Sequence, residues 1–164
     1  MQATAMPLHF TAVPEARRSA AQLSKDLVVL MQPFEFIIRS RPVSQQTRRR
    51  ERLREWRDFV RHEAMRYWTS SHLPADGLVC ITLVYLYDEV ALDVDNILKP
   101  IQDALVGLVF SDDSIVTDAI SRRRQLGGTF DLSRVSPVLI EGFEYGDEFV
   151  YVHIADAPSQ EQLL

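Results

Sequence analysis

Apolar residues recur along this chain with two different periods. At Phe34-Glu35-Phe36-Ile37-Ile38-Arg39 they alternate and then run together, which predicts a strand. From Leu78 to Tyr87 nearly every side chain is apolar, many of them β-branched or aromatic. That pattern predicts a strand covered on both faces, at the centre of a sheet. Ile115 to Arg123 reads as a more polar strand carrying Val116 and Ile120, and Phe149 to Ile154 as a last one. Val138 to Phe143 fits a short strand or a loop. The second period is helical. Leu53, Trp56, Val60, Ala64 and Tyr67 fall at three- and four-residue steps, so the stretch from about Gln45 to Ser70 is expected to be a helix burying one stripe. Another apolar helical run follows Asp95, and Leu23, Leu27 and Leu30 mark a helix in Glu15 to Met31. Pro42, Pro74-Ala75-Asp76-Gly77 and Gly127-Gly128 punctuate these elements as breaks, turns and loops.

The long helix carries more than its apolar stripe. Arg50, Arg54, Arg57 and Arg61 repeat at the same spacing, about 70° round from the buried line. Glu51, Glu55 and Asp58 fall elsewhere, and Arg48 and Arg49 add charge just ahead of the ridge. Two readings stand open. Glu–Arg pairs each worth roughly 0.2–0.5 kcal/mol make a solvated helix face. A one-sided row of guanidinium forks makes a phosphate-binding ridge, to which Arg122, Arg123 and Arg124 add a second basic cluster.

Composition narrows the class. The 164 residues suit one domain, with 46% hydrophobic content adequate for a core. Eighteen basic against 23 acidic side chains give a net charge of −5, which argues against a protein that coats duplex DNA through bulk charge. Cys80 is the single cysteine and is expected to be a small core residue, with no internal disulfide. His9, His62, His72 and His153 show no zinc spacing. No cationic leader and no membrane-length apolar run occurs, so a cytoplasmic protein is expected, with no membrane contact.

The chemistry concentrates between Asp93 and Asp113. Asp93 and Asp95 lie two apart, Asn96 and Lys99 follow, and Ser111-Asp112-Asp113-Ser114 turns the chain after a helical run. Were backbone extended through Asp93 and Asp95, both side chains would share a face. Asp95 or Asn96 would then cap a helix on which Asp95, Lys99 and Asp103 line up. Pro100 is expected near that helix's first turn, where proline is tolerated. Hard oxygen donors on a stiff frame suit Mg²⁺, which keeps sites open for water and phosphate. Equally, such carboxylates serve as caps and solvated turns.

Asp93-Val94-Asp95-Asn96-Ile97-Leu98-Lys99, then Asp103-Ala104-Leu105, then Asp112-Asp113 ahead of Val116 resemble the RusA family of Holliday-junction resolvases, and Arg39-Ser40-Arg41-Pro42-Val43-Ser44 adds a weaker likeness to the family's early Pro-Val-Ser segment. The resemblance covers roughly residues 34 to 154. It implies an α+β domain over residues 33–155, a mixed sheet of about four strands with two main helices. Residues 1–32 form a partly helical extension and 156–164 a tail. It implies a metal-dependent endonuclease that resolves four-way junctions by paired nicks, in DNA recombination and repair. Asp93, Asp95 and Asp113 would bind Mg²⁺, for which Mn²⁺ would substitute. Lys99 would be a further catalytic residue, stabilising charge that grows on the phosphate or orienting the attacking water, with Asn96 and Asp112 supporting the metal ligands. Arg48, Arg49, Arg50, Arg54, Arg57, Arg61, Arg122, Arg123 and Arg124 would hold DNA. A homodimer would match the two-fold substrate. The family's basic run before its first aspartate is replaced here by Asp88-Glu89-Val90-Ala91-Leu92. That departure motivates a second reading, a nuclease of the same fold acting on other branched DNA or RNA in a phage or defence setting. A third is a non-catalytic interaction module whose Glu15 to Met31 helix binds a protein partner.

Overall fold

A computed structural model describes residues 32–69 and 72–161; the expected helix from Glu15 to Met31 lies outside them. Strand β1 (Phe34–Ile38) leads to helix α1 (Arg50–Tyr67), strand β2 (Val79–Tyr87) and helix α2 (Val94–Leu105). A 3₁₀ turn at Asp113–Ile115 precedes strand β3 (Val116–Gln125), helix α3 (Pro137–Tyr145) and strand β4 (Phe149–Asp156). The four strands form one mixed sheet ordered β1-β4-β2-β3. β4 runs antiparallel to both β1 and β2, while β3 lies parallel to β2, with Val79 opposite Val116 and Tyr87 opposite Gln125. β2-α2-β3 is therefore a crossover unit, and α2 spans from the end of β2 to the start of β3.

Sequence chemistry places each strand. β2, apolar on both faces, lies inside the sheet, and polar β3 takes an edge, largely exposed. Alternation then builds two cores. Phe34, Phe36 and Ile38 of β1, and Val79, Ile81, Leu83 and Tyr85 of β2, face a cluster with Trp56, Val60 and Ala64 of α1 and Ile97 and Ile101 of α2. On the other face, Ile37, Leu86, Phe149 and Tyr151 meet Val138, Leu139 and Phe143 of α3. The domain thus has three layers: two helices, the sheet, and one helix.

That third, shorter helix joins the two main helices expected and corrects the expectation of a short strand or loop at Val138 to Phe143. Ser136 caps it, its Oγ accepting from the Leu139 N–H at 3.2 Å. Pro137 opens it, and Gly146 closes it at φ +78°. Apolar runs this short do not distinguish helix from strand; the terminal residues do. Gly142 faces the Phe149 ring so closely that a Cβ would overlap it, which fixes how near α3 lies to the sheet. No helix among the described residues is long and apolar enough to cross a membrane.

Pro100 sits inside α2, not in its first turn, and is buried. Its missing N–H releases the carbonyl four residues earlier, at Asn96. Gln45 takes that acceptor, donating its N–H to Asn96 O at 2.8 Å. The proline thereby pins the loop after β1 to the start of α2, and the freed carbonyl keeps a partner. The other end of α2 has no basic residue of its own. Arg61 of α1 supplies one, donating to the carbonyls of Ala104 at 3.3 Å and Val106 at 2.9 Å.

Candidate functional site

Helix α2 begins at Val94, so Asp93 occupies its N-cap position with extended backbone (φ −69°, ψ 134°). Asp95 lies in the first turn. The two carboxylates are thus gathered at a helix N-terminus rather than along a strand face, and Asp93, not Asp95 or Asn96, holds the cap position. The Asp93 side chain makes no capping hydrogen bond. It is turned outward, with Arg123 Nη1 3.5 Å from its Oδ1. The reading of Asp93 as a simple cap therefore fails on geometry. Asp95 is exposed, and no cation pairs with it among the described residues. Partial positive charge at the helix start favours both anions. Ser121 of β3 donates to Val94 O at 3.0 Å and locks that helix start onto the edge strand.

Arg122, Arg123 and Arg124 lie along β3 opposite Val84, Tyr85 and Leu86. With Asp93, Val94, Asp95 and Ser121 they wall an open groove of about 650 Å³. The acidic flank at Asp88-Glu89 is exposed. The cationic material missing from that flank arrives instead from the neighbouring strand.

Farther along α2, Lys99 forms ion pairs with Asp103 at 2.9 Å and with Asp113. Those partners, Asp113 first, hold its ammonium above the usual lysine range. Arg57 of α1 holds the other oxygen of Asp103 at 2.5 Å. Arg57, Asp103, Lys99 and Asp113 thus make a row of alternating charge across two helices and the 3₁₀ turn. Asp112 accepts from the Ser114 N–H at 2.9 Å, which fixes the turn carrying Asp113, and hydrogen bonds from Ser114, its hydroxyl first and then its N–H, lower the Asp112 carboxyl pKa. Asn96 acts through its backbone: its N–H meets Asp93 O at 3.1 Å and its carbonyl meets Gln45.

The three expected ligands are not gathered into one cage. Asp113 is engaged by Lys99 and Asp93 by Arg123, and among the described residues no three acidic, histidine or cysteine side chains stand close enough to hold an ion. The arginine ridge also divides. Arg57 and Arg61 turn toward α2, Arg54 leans to Glu51 at 3.9 Å, and Arg48, Arg49, Arg50 and Arg54 are exposed. Asp103 emerges as a partner of Lys99, a pairing that their four-residue spacing allows but does not require. Arg41 and Arg52 emerge near the site as well, and their placement depends on the loop after β1.

Residues 37–129 match the family model described as Endodeoxyribonuclease RusA, more than half of the chain. No curated protein matches it.

Proposed function

The chain belongs to the RusA endodeoxyribonuclease family, and from that premise we propose a Mg²⁺-dependent endonuclease that resolves four-way DNA junctions by paired nicks in recombination and repair. The observation carrying this reading is the Asp93 carboxylate. It stands at a helix N-terminus, free of capping duty, facing a strand of three arginines.

The donor chemistry fits a hard divalent cation. Asp93 and Asp95 are exposed and Asp113 half-buried, all three are oxygen ligands, and two now carry cationic partners that a metal ion would replace. Asp93, Asp95 and Asp113, which do not form one cage by themselves, would have to close around the ion to hold it, and Mn²⁺ would serve in its place. Held there, such an ion would supply Lewis acidity toward the scissile phosphate and toward a water in the site. Lys99, released from Asp113, stabilises negative charge growing on the phosphate oxygens. Arg122 to Arg124 seat the flanking phosphates, and Arg48, Arg49, Arg50 and Arg54 extend that surface along α1. A homodimer would place two such sites across a two-fold junction.

A mobile four-way junction incubated with Mg²⁺, its cut positions mapped, tests the proposal. Symmetric nicks in opposing strands are expected. An intact junction alongside cleaved flap, duplex or RNA would move the substrate assignment to other nucleic acids.

A further inference from the structure

A second depression lies beside the candidate active site, between the loop after β1 and the start of α1. It measures about 340 Å³, at the small end of the range of single-ligand pockets (about 300–1,000 Å³), and Leu92, the residue before Asp93, forms part of its wall. Building on the nuclease reading, we propose that it is a subsite for one unpaired nucleotide next to the scissile phosphate.

The lining has the two characters a nucleotide needs. Half-buried Leu92 and the exposed edges of Pro42 and Val43 give a small apolar wall for one face of a base. Arg41 and Arg52 complete the wall, with the amide of Gln46 and the hydroxyl of Thr47 available to a base edge. No acidic residue lines the depression, in a chain of net charge −5. Arg52 is exposed and pairs with no carboxylate among the described residues, so its donors are available to a phosphate. Arg41 is held in place, donating to Val90 O at 2.8 Å with Glu148 at 3.8 Å.

Register with the catalytic carboxylates comes from Pro100. Because the Asn96 carbonyl accepts from Gln45, the loop forming the pocket is tied to the helix start carrying Asp93 and Asp95. A base lying against the apolar wall must leave the stack of its neighbours, so occupancy requires a nucleotide turned out of the duplex, as happens most cheaply at a branch. The device would favour open branch points over continuous duplex.

The test uses the full chain and the single-stranded dinucleotide pTpT, followed by backbone amide NMR without metal. Saturable shifts are expected at Val43 to Thr47 and at Leu92. Arg52→Ala should weaken binding about fivefold or more, as expected for removing one partly exposed charge-assisted hydrogen bond. Gln46→Trp, at an exposed position, should occlude the space and abolish those shifts. Shifts confined to Arg122–Arg124, or unchanged affinity in both variants, would overturn the subsite. The nuclease reading fails separately, by an uncut junction in Mg²⁺. Shifts without cleavage keep the subsite and sink the nuclease; cleavage without shifts does the reverse.

Discussion

Asp103→Asn separates position from charge in the row beside the candidate active site. In the parent, Asp103 holds Arg57 at 2.5 Å and Lys99 at 2.9 Å, with side chains between 23% and 45% exposed. Pairs this accessible are each worth about 0.2–1 kcal/mol, so losing both costs roughly 0.5–2 kcal/mol. At about 2–4 °C per kcal/mol for a chain of this size, Tm falls by a few degrees and the fold survives. The effect on rate should be larger. Lys99 keeps only Asp113 as a partner, without the pairing that fixes its height along α2. Misplacement by about 1 Å costs up to about 10²-fold, so kcat for a four-way junction should drop about 10- to 100-fold. KM should change little, since the partners of Asp103 are Arg57 and Lys99 rather than the arginines of β3 proposed to seat the flanking phosphates. Asp103→Glu keeps the charge and should recover part of the rate. Single-turnover cleavage with parallel melting curves provides the assay. Parental rate in Asp103→Asn, with Tm lowered as expected, would reduce the row to a stability element with no part in placing Lys99.

Three further outcomes follow. Gly142→Ala drives a Cβ into the Phe149 ring. Overpacking of about 1–3 kcal/mol, offset by about 1 kcal/mol of helix propensity, should lower Tm, and an unchanged melting curve would show that α3 shifts freely. Burial pushes the Tyr151 hydroxyl up to about 12 and that of Tyr85 well above its usual range. A raised folded pKa contributes stability present below the unfolded value near 10 and lost as pH rises, so denaturation midpoints should fall between about pH 10 and 12. Flat midpoints there would contradict the burial of these rings. Replacing Arg122, Arg123 and Arg124 by Ala should flatten the salt dependence of junction binding by about one unit of slope for each phosphate no longer gripped. An unchanged slope would remove β3 from the DNA surface.

The sheet was legible because its strands carry their environment in composition. Apolar β2 is internal and polar β3 is an edge, as their side chains require. The stripe from Leu53 to Tyr67 likewise located α1, with its start displaced from about Gln45 to Arg50. Helix α3 was not legible from periodicity, because nine residues give too few turns; its signals are terminal, the Ser136-Pro137 start and the Gly146 stop. The depth of Pro100 in α2 was hidden for a different reason. A proline inside a helix is tolerated only if something else claims the freed carbonyl, and Gln45 is remote in sequence. The same limit applies at the site. Asp93, Asp95, Lys99 and Asp113 were visible as types at a spacing, but which charge faces which depends on how α1, α2 and β3 pack. Arg57 and Arg61 looked like phosphate ligands on a helical projection; packing gives them Asp103 and the end of α2.

Catalysis as proposed rests on carboxylates that would exchange their basic partners for a divalent ion, and cleavage by single-charge variants probes this most directly. Asp93→Asn, Asp95→Asn and Asp113→Asn, assayed on one four-way junction with Mg²⁺ titrated from zero, should each lose orders of magnitude in rate while binding the junction as the parent does. Cleavage by Asp95→Asn at parental speed, or parental cleavage in chelator, would contradict that exchange.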